Sequence, residues 1–258
     1  MKLTAFILFY FLNSISSGAI SSGSEGPSSR IIGGTDVVDG SAPYQCSLQR
    51  NERHGCGCAI IGDEWILTAA HCVRTGIQNV KILVGTNDLK SGGERYKTID
   101  FIIHENYDKP PFSNDIALVK VENIQFNKKV QPIKYTSNYV EGGSVLLDSI
   151  RFDKDSNELP QFLQTINLTA LSYEKCVEMI DDGVKVSNLC TFNGFDEGVC
   201  SGDSGTPLVL GDEVVGLGNW ILNGCATGNP DVFVRISHFY DWIKEKTEAF
   251  ENFEGGNL

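Results

Sequence analysis

The sequence predicts an all-β, turn-rich domain closed by one C-terminal helix, and three observations carry that reading. The 258 residues include 27 glycines, apolar residues fall in short runs between turn formers, and convincing helical periodicity occurs in one stretch only. In chain order, strands are expected over residues 65–69, 80–84, 96–104, 116–121 and 162–170. Pro207-Leu208-Val209-Leu210 and Glu213-Val214-Val215 flank Gly211-Asp212, which reads as a hairpin about a two-residue turn. The helix is expected over 237–250. Ser237 is placed to cap it, Phe239, Trp242, Ile243 and Phe250 share one face, and Asp241, Lys244, Glu245 and Glu248 form the other. It serves as a packing element, followed by a frayed tail at 251–258. Residues 31–258 hold no repeat or Pro-rich linker, in keeping with one large domain or two subdomains sharing a core.

Charge and processing signals narrow the setting. Acidic residues number 33 against 21 basic, a net charge of −12, which argues against nucleic acid or an anionic membrane as partner, since both need basic surface. Lys2, an apolar block at 5–12 and small residues from Ser14 onward form the pattern of a secretory signal peptide, taken as residues 1–18. Eight apolar residues fall far short of the roughly 20 that span a bilayer, so the protein is expected to be secreted and extracellular. An even set of eight cysteines suits that compartment, although spacing alone cannot choose their pairing. Cys56-Gly57-Cys58 is too tight for the usual zinc-ligand spacer, and neither a metal nor a cofactor is expected.

Three stretches carry the chemistry: Leu67-Thr68-Ala69-Ala70-His71-Cys72, Asn114-Asp115-Ile116-Ala117-Leu118, and Cys200-Ser201-Gly202-Asp203-Ser204-Gly205-Thr206-Pro207. A serine hydroxyl is a poor nucleophile until a base takes its proton, and that base needs a carboxylate to fix its tautomer. The order His, Asp, Ser is one of several in which that geometry recurs, so order alone is weak; the local contexts are specific. Ala69 and Ala70 leave room around His71, Cys72 pins its loop, and Gly202 lets its own N–H and that of Ser204 face one oxyanion. Gly-Asp-Ser-Gly by itself is ordinary turn chemistry, and gains its meaning from the other two stretches. His54, His104 and His238 lack such surroundings and read as structural or surface residues.

Together these segments resemble the chymotrypsin-like serine proteases, family S1, with a cysteine pattern closest to invertebrate chymotrypsin- and elastase-like members. The resemblance runs from Arg30 to about Ile243. It implies a trypsin-like fold of two six-stranded antiparallel β-barrels, roughly residues 31–140 and 141–236, with the active site between them. It makes His71, Asp115 and Ser204 the catalytic groups and the N–H groups of Gly202 and Ser204 the oxyanion hole. Arg30-Ile31-Ile32-Gly33-Gly34 resembles the family's activation junction, so residues 19–30 become a pro-segment. A trypsin-like protease would free the Ile31 α-amino group to pair with Asp203.

Family pairing supplies Cys56–Cys72, Cys176–Cys190 and Cys200–Cys225. Cys46 and Cys58, where relatives usually carry Val and Gly, are left to form a fourth, cross-strand bridge. The specificity pocket falls on Gly198, Val199, Asn219, Trp220, Ile221 and Asp231. Gly198 at the floor brings no charge and Ile221 narrows the entrance, which favours small or medium aliphatic residues before the scissile bond, an elastase- or chymotrypsin-like preference. Asp231 is expected deep on the opposite wall, where some invertebrate relatives carry an acid that admits basic residues. Asn219 replaces a usual Ser, Thr206 a usual Gly, and residues 147–151 the usual Gly-Trp-Gly motif. The loop at 86–94 lacks the glutamates of the family's calcium site. Asn167-Leu168-Thr169 satisfies the N-glycosylation rule. The expectation is a monomeric secreted endopeptidase acting on proteins and peptides and open to protein protease inhibitors. The rival reading is a catalytically weak homologue that binds or regulates partners.

Overall fold

A computed structural model of the chain describes residues 34–150, 161–180 and 183–255. After the short β1 (Thr35–Asp36), β2 (Gln45–Arg50) turns through Asn51 and Glu52, both at positive φ, into β3 (Arg53–Ile60). There follow β4 (Trp65–Thr68), the one-turn helix α1 (Ala70–Val73), β5 (Val80–Val84), β6 (Glu94–Ile103) and β7 (Ala117–Val121). Six of these strands close into an antiparallel barrel in the order β2-β3-β4-β7-β6-β5. Its interior is filled by Leu48, Ile60, Ile66, Ile82, Val84, Val119 and Val121.

The second half comprises β8 (Lys134–Tyr135), β9 (Val145–Ile150), β10 (Gln164–Thr169), the helix α2 (Tyr173–Ile180), β11 (Asn188–Thr191), β12 (Pro207–Leu210), β13 (Glu213–Ile221) and β14 (Asp231–Arg235), then α3 (Ile236–Gly255). Its six longer strands run in the order β10-β9-β12-β13-β14-β11. The roll closes through one bridge between Ala170 and Thr191, with backbone bonds from Leu171 N–H to the Cys190 carbonyl and from Phe192 N–H to the Thr169 carbonyl. The second barrel is therefore a rolled sheet rather than a continuous ladder. The reason is edge occupancy: β1 pairs with Gln164 and Thr165 of β10, leaving only the far end of that strand for β11.

Two expectations need correction. The C-terminal helix was expected to be the single convincing one, yet α1 and α2 are also helical. An eight-residue helix is marginal alone, and α2 is held by its buried Cys176, bonded to Cys190 of β11, and by Tyr173, Val177 and Ile180, which pack on the same cluster. The last helix begins at Ile236, directly after β14, so Ser237 lies in its first turn rather than capping it, and its backbone continues to Gly255.

Between the halves lies a shared apolar cluster. Ala59, Trp65, Leu67, Ile116 and Leu118 from the first barrel meet Val209, Val214, Leu217 and Val234 from the second, and α3 adds Ile236, Phe239 and Ile243. The three chemistry-bearing stretches border this cluster, which fixes their relative positions.

Candidate active site

His71 sits in α1, immediately after β4. Ala69 and Ala70 are fully buried, and Cys72 is bonded to Cys56 of β3, so the residue following the histidine is tied to the neighbouring strand. Asp115, nearly buried, meets His71 twice. Its Oδ2 lies 2.6 Å from Nδ1 of the ring and its Oδ1 accepts the His71 backbone N–H at 2.8 Å. Because the carboxylate can only accept, Nδ1 carries the proton and Nε2 keeps the lone pair that a general base needs.

Ser204 occupies a turn pinned on both sides. Its carbonyl accepts the Gly57 N–H of β3 at 2.8 Å, Gly205 N–H donates to the Gly218 carbonyl at 2.7 Å, and Gly218 N–H donates to Thr206 at 2.9 Å. A Cβ on Gly57 would overlap Thr206, and one on Gly218 would overlap the Asp203 carbonyl. Asp203 is buried beneath the turn and accepts the Cys200 N–H at 2.8 Å. Arg30 and Ile31, its expected activation partners, lie outside the described residues.

Gly202 has φ +100°, a conformation open to glycine at little cost. Among the described residues neither the Gly202 nor the Ser204 N–H donates a hydrogen bond, which leaves both for an oxyanion. The Gly202 carbonyl, in contrast, is held by His54, whose Nε2 lies 3.0 Å away and whose Nδ1 lies 2.7 Å from the Ser47 hydroxyl. A carbonyl only accepts, so Nε2 donates and, in the neutral ring, Nδ1 takes the Ser47 proton. Sequence reading passed over His54 as structural. Its partner is 148 positions away, and no local motif announces such a pair.

Val199, Cys200, Ser201, Asp203, Ser204, Gly218, Asn219, Trp220 and Ile221 enclose a cavity of about 100 Å³. Of the expected pocket residues, Val199, Asn219, Trp220 and Ile221 line it. Gly198 and Asp231 lie against each other just outside that wall, where a Cβ on Gly198 would stand 2.6 Å from Asp231 Oδ2. Asp231 is held to the wall by the Val199 N–H, which donates to the same oxygen at 3.0 Å, and by register pairing with Ile221. The Asn219 amide nitrogen and Trp220 indole nitrogen are buried without a hydrogen-bond partner.

A groove of about 350 Å³ runs beside the histidine, lined by Arg74, Tyr107 and Phe112 together with His71, Asp115, Asn219 and Trp220. Phe112 stands exposed at positive φ with its ring 6.4 Å from that of Trp220. An aromatic following Pro110-Pro111 in a loop was the available signal for it, and sequence reading did not use it.

All four disulfides take the expected pairing: Cys46–Cys58, Cys56–Cys72, Cys176–Cys190 and Cys200–Cys225. Cys46 and Cys58 are direct partners in the β2–β3 register, with Cα atoms 4.9 Å apart. Asn167 is exposed on β10, opposite Leu147 of β9. Among the described residues one trio of metal-ligand types comes together, Cys56, His71 and Cys72, and its two sulfurs are consumed by their mutual disulfide. No helix of the described residues is long and apolar enough to cross a membrane.

Comparison with known proteins agrees with this geometry. A family model described as Trypsin matches residues 31–243. Chymotrypsin-2 of Vespa crabro is 36% identical over 83% of this chain and 99% of its own length. Trypsin II-P29 of Gallus gallus is 32% identical over 86% of this chain and 90% of its own. Serine protease SP24D of Anopheles gambiae is 30% identical over 83% of this chain and 80% of its own. Among solved structures, neuropsin, a serine protease expressed in the limbic system of mouse brain, superposes with a TM-score of 0.77 at 26% identity, covering 83% of this chain and 98% of that one. The chain belongs to the trypsin family, within the chymotrypsin-like serine proteases, and is a serine endopeptidase.

Proposed function

We propose that the protein is a secreted endopeptidase, made as an inactive precursor, that cleaves protein substrates after small or medium aliphatic residues. The observation that carries this reading is the doubly bonded His71–Asp115 pair bordering the Ser204 turn, with a small cavity on its far side. Ser204 Oγ attacks the peptide carbonyl carbon while His71 Nε2 takes the hydroxyl proton. The resulting oxyanion is received by the Gly202 and Ser204 N–H groups. His71 then gives its proton to the leaving amine, the C–N bond breaks, and an acyl-enzyme remains. Water, deprotonated by the same imidazole, releases the acid and restores Ser204. The base must be neutral to act, so activity falls at acid pH.

Cavity size supports the aliphatic preference: about 100 Å³ is less than the roughly 150 Å³ cavity that takes up benzene. Precursor status is supported by the Arg30-Ile31 junction and by Asp203, which is 1% exposed. A trypsin-like activator, protein inhibitors as partners, a monomeric state and a glycan on exposed Asn167 belong to the same proposal.

The test is a peptide panel varying only the residue before the scissile bond, cut by trypsin-activated and then trypsin-inhibited enzyme, with Ser204→Ala as control. Cleavage after Ala, Val or Leu, absent in the control, is expected. Preference for Phe or Tyr would overturn the size argument. No cleavage despite a sequenced Ile31 terminus would leave a non-catalytic binding protein.

A further inference from the structure

Away from the cleft, the second half carries an apolar strip left open to water. Successive residues of a strand face opposite ways, so in β9 Leu146 and Asp148 turn inward, fully buried, while Val145 and Leu147 face out at 61% and 38% exposure. On one side Leu147 pairs with Val209 of β12, a member of the apolar cluster between the halves, so the strip is the margin of that cluster running out to solvent. On its other side lies β10. There Leu147 stands opposite Asn167 and Val145 opposite Thr169, while Leu168 between them is buried opposite Leu146. The two residues that satisfy the N-glycosylation rule are thus the cross-strand neighbours of the exposed pair. The backbone edge of β10 is closed at this point. Asn193 Nδ2 donates to the Asn167 carbonyl at 2.7 Å and Asn193 Oδ1 accepts the Thr169 N–H at 2.9 Å, so that amide stands in for a neighbouring strand. The Asn167 side-chain amide makes no hydrogen bond among the described residues, so substituting its nitrogen breaks none.

We propose that Asn167 carries an N-linked oligosaccharide whose first sugars lie over Leu147 and Val145 and cover this strip. The proposal rests on the reading above that the chain is exported and glycosylated, and gives that glycan its task. During export the Asn167 amide nitrogen attacks the anomeric carbon of a polyprenyl-diphosphate-linked oligosaccharide. A C–N bond forms, the C–O bond to the diphosphate breaks, the nitrogen gives up one proton and the lipid diphosphate leaves. Directly opposed side chains of an antiparallel pair root about 5 Å apart. The first N-acetylglucosamine therefore has its C–H face within reach of both apolar side chains, while the hydroxyls of the sugars stay in water. Apolar residues scattered singly on a surface need no cover, but two side by side, continuous with a buried cluster, are a contact point for other molecules. With the strand edge closed by Asn193, the face is what another copy would rest on, and a glycan rooted in it denies that contact.

The experiment uses the full precursor bearing Ser204→Ala, expressed in a eukaryotic host and collected from the medium, so that self-cleavage plays no part. Peptide mapping is expected to find Asn167 carrying a hexosamine-containing glycan. Releasing that glycan from the folded protein with a peptide amidase, which leaves an aspartate at the position, should raise binding of a neutral apolar dye about twofold or more and produce self-association in light scattering. Asn167→Gln should do the same. Adding Val145→Thr and Leu147→Thr to Asn167→Gln makes the strip polar, and should return both readouts to those of the glycosylated protein. Secreted protein with an unmodified Asn167 would overturn the proposal and leave export standing, whereas a sugar-free chain retained in the cell would overturn both. Dye binding and scattering unmoved by release from the folded protein, or not restored by the two threonines, would show that the glycan does not cover the strip. The cleavage chemistry is untouched by any of these results, since Ser204 is absent throughout.

Discussion

His71 gives both a ring proton and its own backbone N–H to the two oxygens of Asp115, so rotating the ring breaks one bond without loosening the other. The pair is held by its carboxylate and by the Cys56–Cys72 tether, and needs nothing from substrate to be aligned. His54 plays the matching part for the anion-binding loop. Through the Gly202 carbonyl it fixes the Gly202–Asp203 peptide, whose N–H is held by the Cys200 carbonyl, and so steadies the loop whose Gly202 and Ser204 N–H groups are proposed to receive the oxyanion. Removing it releases the bond to Ser47 and the bond to Gly202, and the latter, ordinarily ~1 kcal/mol, lies at a place proposed to count only once the tetrahedral state forms. His54→Ala is therefore expected to lower kcat about five- to tenfold with KM little changed. His54→Gln, which keeps a donor of similar reach, should recover much of the loss. A defect confined to KM, or equal in both variants, would reduce His54 to a packing residue. The proposed triad of His71, Asp115 and Ser204 was legible because each member sits in a short stretch with its own local logic. His54 was not, because Ser47 meets it only across the β2–β3 hairpin and Gly202 only after the halves dock.

Strand β3 is the element on which the site leans most. Its Gly57 lies flat against Thr206, and its N–H reaches the Ser204 carbonyl. Gly57→Ala forces a methyl into the Thr206 side chain, so both activity and thermal stability should fall, with overpacking costing ~1–3 kcal/mol. The double variant Gly57→Ala/Thr206→Gly removes the side-chain overlap but leaves the Thr206 Cα 2.8 Å from the new methyl, so it should regain part of both, a coupling read from a four-way cycle of melting temperatures and kcat/KM. Additive losses would mean the two residues do not share that space. The same strand shows why part of the fold escaped sequence reading. Strand β6 turns Tyr96 and Thr98 inward between exposed Arg95, Lys97 and Ile99, and was recognised nearly to its ends. In Arg53-His54-Gly55-Cys56-Gly57-Cys58 the glycines look like turn formers, although Gly57 is where Thr206 of the other half passes too close for a side chain. Strand β13 was likewise read as ending at Val215, while Gly216 and Gly218 carry it onward past Leu208, Phe233 and Asp203. Strand β14 is buried throughout, which erases the period-two signal.

At the scale of the molecule the two halves share one apolar cluster, to which α3 contributes three side chains. Such an interface makes their unfolding a single event. Ile243 is fully buried there, and Ile243→Ala should cost ~2–5 kcal/mol. Calorimetry should still show one transition, moved to lower temperature, with the van't Hoff and calorimetric enthalpies in agreement. Two resolved transitions would mean the halves are independent. Legibility follows the same division: Phe239, Trp242 and Ile243 were read correctly as one apolar face, but not what they would cover, since that surface is assembled from strands of both halves.

The bond from Gly57 N–H to the Ser204 carbonyl joins the halves at the serine proposed as nucleophile. A protease is always surrounded by copies of its own potential substrate, and a molecule becomes digestible when it begins to open. Where opening parts the halves it also parts Ser204 from His71, so under the proposed mechanism such a copy can be cut but cannot cut. Self-destruction in a concentrated solution then requires an intact molecule to meet an opened one. Its pace follows the product of two populations, and dilution alone preserves the enzyme.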